Sequence, residues 1–244
     1  MNNKLKQAKE YILKTSSLSE SIGTKQEKTL HQTIKYYITL NEDEHEIKVD
    51  KKIVDIYKDN KIYEIQTQGF DKMRDKLETL LPNHDLTIVF PIASLKIIHL
   101  INEYGELVST RKSPKKQTAF EIFKELYKIK KYLEHPNLHF KIIMFTSEEI
   151  RDIVPKRHYR SKGYKRNDQI VSDIVKEYDI YNKNDFNVLL DELNIPSEFT
   201  TLDIKKQTHV SKKTSALVLN ILLYLDLVEK IGVKNRYILY RKKH

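Results

Sequence analysis

A chain of 244 residues, 39% of them hydrophobic, is long enough to bury the core of one large domain or two smaller ones, and this composition excludes a disordered protein. Lys and Arg number 44 against 34 Asp and Glu, and the resulting net charge of +10 favours polyanionic partners such as nucleic acids. The absence of cysteine excludes disulfides, thiolate metal sites and cysteine nucleophiles.

The N-terminal segment is polar. It begins Met1-Asn2-Asn3-Lys4, without the apolar stretch of a signal peptide, and residues 1–24 are rich in Ser, so a weakly held arm is predicted there. No apolar run in the chain approaches the ~18 residues that span a bilayer. We therefore expect a cytoplasmic protein with no membrane partner.

The next segment has the pattern of an α/β domain. Apolar residues recur at helical spacing over Lys25–Leu40 and predict a helix. Three short β-like runs follow, and after them a helix that Asp71 would cap and a continuous apolar run typical of a strand buried on both faces. The three runs are Glu46–Val49, Ile53–Tyr57 and Lys61–Thr67; the helix ends at Leu80, and the buried strand is Leu86–Ile92.

Further strands and a helix complete this domain. Lys96–Ile101 and Glu106–Arg111 alternate around a turn at Asn102–Gly105 and predict a hairpin. Thr118 to about Tyr132 is a predicted helix, and Phe140–Phe145 is a predicted buried strand. Residues 25–150 are thus predicted to form a mixed sheet flanked by helices.

A cluster of basic residues follows. Arg151–Arg166 holds seven Lys and Arg residues against the single acid Asp152, together with Pro155 and Gly163. A genome that favours Lys codons would raise Lys everywhere, whereas this excess is local. We interpret residues 151–168 as a basic linker, with Arg157, Arg160 and Arg166 as candidate nucleic-acid contacts.

An earlier turn carries a second basic group. Lys115 and Lys116 follow the second strand of the predicted hairpin and form a candidate phosphate-contacting loop.

Residues 169–244 have a different pattern, of helices followed by a hairpin. Helices are predicted at Gln169–Tyr178, Phe186–Leu193 and Leu202–Gln207, and a long helix begins after the N-cap residue Ser211. Val228–Val233 and Arg236–Arg241 are predicted antiparallel strands. A short helix, a turn, a long helix and a β-hairpin in this order are typical of a winged helix-turn-helix domain.

In such a domain the start of the long helix and the tip of the hairpin meet DNA. Lys212, Lys213 and Ser215 lie at the helix start and Arg236 at the hairpin tip, so these are the candidate contacts. The alternative is a winged helix that serves in dimerisation or protein docking.

The first domain also carries a candidate metal site. Alternation along the predicted strands places Asp55 opposite the apolar face of Val54 and Ile56, and gives Glu64 and Gln66 a common face on the next strand. A tight turn at Asp59-Asn60 would bring Asp55 beside Glu64. Two converging carboxylates can bind a hard divalent cation.

The spacing Asp55…Glu64-Ile65-Gln66 resembles that of the PD-(D/E)XK nuclease superfamily, in a variant with Gln in place of the commoner Lys. The resemblance implies a restriction-endonuclease-like fold, with Asp55 and Glu64 as metal ligands and Gln66 orienting the attacking water. It also implies a Glu on the helix before the sheet, a place that Glu27 fits. A wider set of residues surrounds this motif: His45-Glu46, Asp55, Glu64-Ile65-Gln66-Thr67, Lys76-Leu77, Phe90-Pro91-Ile92 and Lys112-Ser113-Pro114-Lys115. With these, the chain more closely resembles an uncharacterised bacterial protein family along nearly its whole length.

Two departures from the superfamily pattern leave activity open. Gln66 cannot stabilise an anion as a Lys would, and Val54 stands where the signature has Pro. In the structural alternative, Asp55 only flanks a turn and Glu64 pairs with Lys72 or Lys76 on a solvated face.

The sequence therefore favours a metal-dependent DNA endonuclease that uses Mg²⁺ or Mn²⁺ and is positioned on DNA by a winged helix. The first alternative is a non-catalytic DNA-binding regulator with a degenerate nuclease fold, and the second is a nuclease-like module that acts only with a partner protein. Cleavage of both strands of a duplex would favour a homodimer, although the sequence leaves the oligomeric state open.

Overall fold

The computed structural model describes residues 2–16, 25–154 and 163–243, with side chains for 2–13, 29–154 and 163–243. The α-helices are α1 (Asn3–Ser16), α2 (Lys25–Ile38), α3 (Arg74–Leu80), α4 (Phe123–Leu126), α5 (Asn187–Asp191), α6 (Thr201–Thr208) and α7 (Lys212–Tyr224). The strands are β1 (His45–Val49), β2 (Lys52–Lys58), β3 (Lys61–Ile65), β4 (Asp85–Ile101), β5 (Leu107–Lys112), β6 (Leu138–Ile153), β7 (Tyr164–Ile180), β8 (Glu198–Phe199), β9 (Val228–Lys234) and β10 (Tyr237–Lys242). None of the described helices is long and apolar enough to cross a membrane.

The first helix replaces most of the predicted N-terminal arm. α1 packs against α2, and its residues Leu5 and Ala8 are completely buried. Their spacing of three residues places them on one face of α1, and α2 also contributes a completely buried residue, Ile34. The predicted helix over Lys25–Leu40 is confirmed as α2.

The three predicted β-like runs are confirmed as β1, β2 and β3. β2 and β3 are antiparallel, and the turn between them holds Asp59 and Asn60 at φ of 50° and 60°. These two residue types tolerate the left-handed region, as a two-residue hairpin turn requires. β3 then pairs in parallel with β4, so the main sheet is mixed, as predicted.

The main sheet has seven strands in the order β1-β2-β3-β4-β6-β7, and β5 pairs with β4. The predicted buried strand and the first strand of the predicted hairpin are one continuous strand, β4. The antiparallel β4–β5 pairing confirms that hairpin.

The predicted helix over Thr118–Tyr132 is broken. It consists of a 3-10 turn at Ala119–Ile122, the single turn of α4, and a second 3-10 segment at Tyr127–Tyr132. Ile129 lies outside the helical region at φ −118°. A 3-10 turn at Phe70–Met73, with Gly69 as its N-cap, also precedes α3, so Asp71 is not the cap that the sequence predicted.

One prediction is wrong in element type. The segment Gln169–Tyr178 was predicted as a helix and is part of strand β7. Ile170, Val171, Ile174 and Val175 are apolar at spacings that a helix also produces, but all four are β-branched and favour extended backbone. The basic segment flanking it is in part strand as well, since β6 runs to Ile153 and β7 begins at Tyr164.

The C-terminal elements follow the predicted order. α6 begins after Thr200, whose hydroxyl accepts a hydrogen bond from Leu202 N, and α7 begins after Ser211, whose hydroxyl accepts one from Thr214 N. β9 and β10 are antiparallel, and β8 pairs with the other edge of β10, giving a three-stranded sheet in the order β8-β10-β9.

The chain divides into two compact units, each assembled from three stretches. One comprises residues 1–45, 93–116 and 144–176, and the other comprises 46–92, 117–143 and 177–244. The second unit contains Asp55, Glu64 and Gln66 and also the C-terminal helices.

Candidate functional site

Asp55 and Glu64 are brought together by the β2–β3 hairpin. The ladder pairs Ile56 with Tyr63, and continuing this register by one residue places Asp55 opposite Glu64. Oδ2 of Asp55 accepts a hydrogen bond of 2.8 Å from Ile65 N, and Asp55 N lies 3.4 Å from Oε1 of Glu64. The structure thus places the two carboxylates beside each other.

The carboxylate of Glu64 lies in the protein interior. The residue is 1% exposed, and this burial is the largest of the causes that raise the pKa of Glu64. The negative charge of Asp55 also raises the pKa and Lys76 lowers it by stabilising the ionised form, so that the pKa of Glu64 lies at about 7 under all these effects together. Near neutral pH, Glu64 is therefore partly protonated.

Lys76 is the basic partner at this site. Its Nζ lies 2.8 Å from Oε1 of Glu64 and donates a second hydrogen bond, of 2.7 Å, to the carbonyl of Ile53. The buried residues Leu77 and Leu80 fix the orientation of α3, which carries Lys76. The alternative in which Glu64 pairs with Lys76 is correct in the partner but not in the setting, because Glu64 is buried rather than solvated.

Gln66 follows directly on β3. Its backbone N–H donates to the carbonyl of Val89 at 2.9 Å, which extends the parallel β3–β4 pairing by one residue. Its side chain is partly exposed and forms no hydrogen bond with another described residue. Of the predicted triad, the structure joins Asp55 and Glu64 and leaves the Gln66 amide without a described partner.

Glu125 is a residue near this site that the sequence analysis did not single out. Its Oε2 accepts hydrogen bonds from the backbone N–H groups of Gly69 and Phe70, at 2.7 and 3.0 Å. Gly69 has φ +80°, a conformation that favours glycine. Glu125 thus anchors the turn between β3 and α3, the two elements that carry Glu64 and Lys76. Nothing in the local sequence indicates this contact, since the partners are more than 50 residues apart.

The two carboxylates of Asp55 and Glu64 are the kind of ligand that Mg²⁺ prefers, and two are enough for a site that completes its coordination with water or phosphate. Mg²⁺ commonly takes one or two protein carboxylates and keeps water or substrate phosphate for its other positions. Among the described residues, no group of three His, Asp or Glu side chains could hold a metal ion. Glu27 lies on α2, and its side chain is outside the described residues.

The candidate nucleic-acid contacts of the C-terminal segment differ in exposure. Lys212 and Lys213 are exposed at the start of α7, with Lys212 Nζ 5.4 Å from the centroid of the Tyr237 ring on β10. Arg236 is exposed in the β9–β10 turn. Ser215 is the exception, because it is completely buried and its hydroxyl donates to the carbonyl of Ser211. Its prediction as a surface contact is wrong.

The remaining candidate contacts lie elsewhere in the chain. Lys115 and Lys116 are exposed on the loop after β5. Arg166 is exposed on β7, where its Nη1 lies 3.4 Å from Oε1 of Gln169. Arg157 and Arg160 are outside the described residues. A role for these five residues in nucleic-acid binding stays a prediction.

Comparison with known proteins gives a family without an assigned activity. An uncharacterized protein of Treponema pallidum (strain Nichols) is 33% identical over 147 residues, which is 60% of this chain and 57% of that protein. The chain thus spans less than two thirds of the length of this relative. No solved structure matches the chain. The resemblance to an uncharacterised family is confirmed over a shorter range than predicted, because the family model ends at residue 181, before α5, α6 and α7. Since that model matches residues 28–181, more than half of the sequence, the chain belongs to the family described as Domain of unknown function (DUF8091).

Proposed function

We propose that this protein is a metal-dependent DNA endonuclease of the PD-(D/E)XK type, positioned on DNA by a C-terminal winged helix. The observation that carries the proposal is the grouping of Asp55, Glu64 and Lys76. Two adjacent carboxylates and an ammonium, with Glu64 buried, supply the charges that phosphodiester hydrolysis requires.

Each residue has a role in this proposal. Asp55 and Glu64 would hold Mg²⁺ or Mn²⁺, and the bound ion would lower the pKa of a water and neutralise charge on the phosphate. Lys76 supplies the positive charge that Gln66 lacks, because its ammonium reaches Glu64 from α3. Gln66, whose amide can both donate and accept hydrogen bonds, orients the attacking water.

The C-terminal elements support the placement on DNA. Two capped helices, α6 and α7, are followed by a hairpin whose strand β10 also pairs with β8. This arrangement is typical of winged helices, in which the second helix enters the major groove. Lys212 and Lys213 at the start of α7, and Arg236 in the hairpin turn, would contact phosphates.

A cleavage assay tests the proposal. The full chain is incubated with supercoiled and linear duplex DNA in the presence of Mg²⁺ or Mn²⁺, and Asp55→Asn and Glu64→Gln are compared with the wild type. Both variants should lose cleavage and retain DNA binding. Asp75→Asn is the matched control. Asp75 is the neighbour of Lys76 in the sequence, but its carboxylate pairs with Lys52 and is not part of the proposed site. Cleavage by the wild type that persists in both site variants would reject the assignment.

The second candidate function is a DNA-binding protein without catalytic activity. It is favoured by the pairing of Glu64 with Lys76, which already neutralises one carboxylate, and by the lack of a third metal-binding acid among the described side chains. Calorimetric titration with Mg²⁺ and Mn²⁺ separates the two functions. If the protein is an endonuclease, it should bind the metal ion, and Asp55→Asn should weaken this metal binding at least tenfold. If it is the non-catalytic protein, its binding to DNA should not depend on a metal ion.

A further inference from the structure

Helix α7 has one exposed stripe. Its buried side is formed by Thr214, Ser215, Val218, Leu219, Ile221 and Leu222. On the opposite side Lys213, Leu217, Asn220 and Tyr224 follow one another at spacings of four, three and four residues, so they lie in a line along the helix. This line runs from the candidate DNA-contacting end of α7 to its last residue.

A lysine outside the C-terminal segment lies against the far end of this stripe. Lys130, in the 3-10 segment Tyr127–Tyr132, donates a hydrogen bond of 3.0 Å to Oδ1 of Asn220. Its Nζ also lies 4.6 Å from the centroid of the Tyr224 ring. The two contacts hold the ammonium beside the outward side of α7. Binding a ligand at this ordered lysine therefore costs less conformational entropy than binding it at a mobile lysine.

The neighbouring lysine provides a contrast. Lys131 is paired with Glu78, whose Oε1 lies 2.8 Å from its Nζ. Lys130 has no carboxylate within ion-pair distance in the part of the chain that the structure describes, and its recorded partners, an amide oxygen and an aromatic ring, are both uncharged. Its positive charge is therefore available to an anion.

We propose that Lys130 and Asn220 together form a phosphate-contacting site on duplex DNA, next to the surface of α7. This inference rests on the proposed function, because it assumes that α7 faces DNA. Oδ1 of Asn220 already accepts from Lys130, so the N–H groups of the Asn220 amide and the remaining N–H groups of the Lys130 ammonium are the donors left to a ligand. A pair of donors with one positive charge suits a phosphate oxygen, and such a contact sets the position of the protein on DNA without reading its sequence.

The test is the salt dependence of binding. Fluorescence anisotropy of a labelled 20-base-pair duplex is measured with the full chain in EDTA, so that neither a divalent metal ion nor cleavage contributes. Loss of one phosphate contact in Lys130→Met should reduce the slope of log K against log[salt] by about 0.9. The loss of affinity should be the same for duplexes of unrelated sequence.

Lys131→Met is the matched control and should leave the slope unchanged. Asn220→Asp is the second variant, because it keeps the size of the side chain and places a carboxylate beside Lys130; it should weaken binding in the same way. Thermal unfolding of each variant verifies the fold. If Lys130→Met does not fold, Asn220→Asp alone tests the proposal.

The outcomes separate the two proposals. If the wild type binds no duplex, the placement on DNA fails together with this inference. If the wild type binds with a normal salt slope but Lys130→Met and Asn220→Asp match Lys131→Met, only the contribution of Lys130 and Asn220 is rejected.

Discussion

The ammonium of Lys76 lies 2.8 Å from Oε1 of Glu64, a carboxylate whose residue is 1% exposed. The lysine lies on α3 and the glutamate on β3, so the pair joins a helix to the sheet. Burying a carboxylate is costly unless it is paired and hydrogen-bonded, and a pair of this kind is sensitive to the loss of either partner.

The pH dependence of stability should report on Glu64. Its folded-state pKa of about 7 is above the ordinary value of 4.5, so the folded protein binds more protons than the unfolded chain between these values. The contribution of Glu64 to stability is therefore fully present below about pH 4.5 and is lost as the pH rises through 7. Glu64→Gln should remove at most about 3 kcal/mol of this pH dependence. Urea unfolding at pH 5 and pH 8 measures it, and identical differences in wild type and variant would refute the assignment.

Removing the lysine should raise the pKa of Glu64. Lys76→Met keeps most of the aliphatic side chain but deletes the charge that stabilises the ionised carboxylate, so the pKa of Glu64 should move above about 7. A carboxyl-carbon NMR titration of the two proteins checks this. Lys72→Met serves as the control because Lys72 lies on the preceding 3-10 turn, and its Nζ is not within ion-pair distance of Glu64 in the described structure. An unchanged pKa in Lys76→Met would argue against the pairing in solution.

The turn between β3 and α3 should depend on Glu125. Glu125→Ala leaves the N–H groups of Gly69 and Phe70 without their acceptor, at an expected cost of about 2–4 kcal/mol in the free energy of unfolding. Chemical denaturation gives the value. Glu134→Ala is the comparison, since the Glu134 side chain is half exposed and, among the described residues, forms one ion pair, with Lys183 at 3.5 Å. Equal losses in the two variants would contradict the role of Glu125.

The N-cap of α7 should contribute measurably to stability. Ser211→Ala removes the hydroxyl that accepts a hydrogen bond from Thr214 N, and caps of this type are worth about 1 kcal/mol. Ser211→Asp should retain most of that stability, because a carboxylate caps a helix equally well. Thermal and urea unfolding of both variants provide the check; a loss in Ser211→Asp as large as that in Ser211→Ala would exclude capping as the cause.

Local signals predicted many of the elements. The Asp59-Asn60 turn between alternating strands predicted the β2–β3 hairpin, and Ser211 predicted the first residue of α7. These features depend on backbone conformations that a few neighbouring residues favour. The adjacency of Asp55 and Glu64 followed from the same hairpin, since the turn fixes the register.

Other features depended on residues far away in the chain. The segment Gln169–Tyr178 has apolar spacing that suits either a helix or a strand, and pairing with β6 decided the strand. Ser215 looked accessible at the start of a helix, but its side of α7 is the buried one.

The pair of Glu64 and Lys76 shows the same division between local and long-range causes. The sequence by itself determined that Asp55 and Glu64 would be neighbours and that Lys76 would follow on a helix. Only the tertiary structure decided that Glu64 is buried, that Lys76 reaches it and that Glu125 fixes the intervening turn. The physical reason is that burial and long-range hydrogen bonds depend on how helices pack on the sheet, which no local pattern of residues specifies.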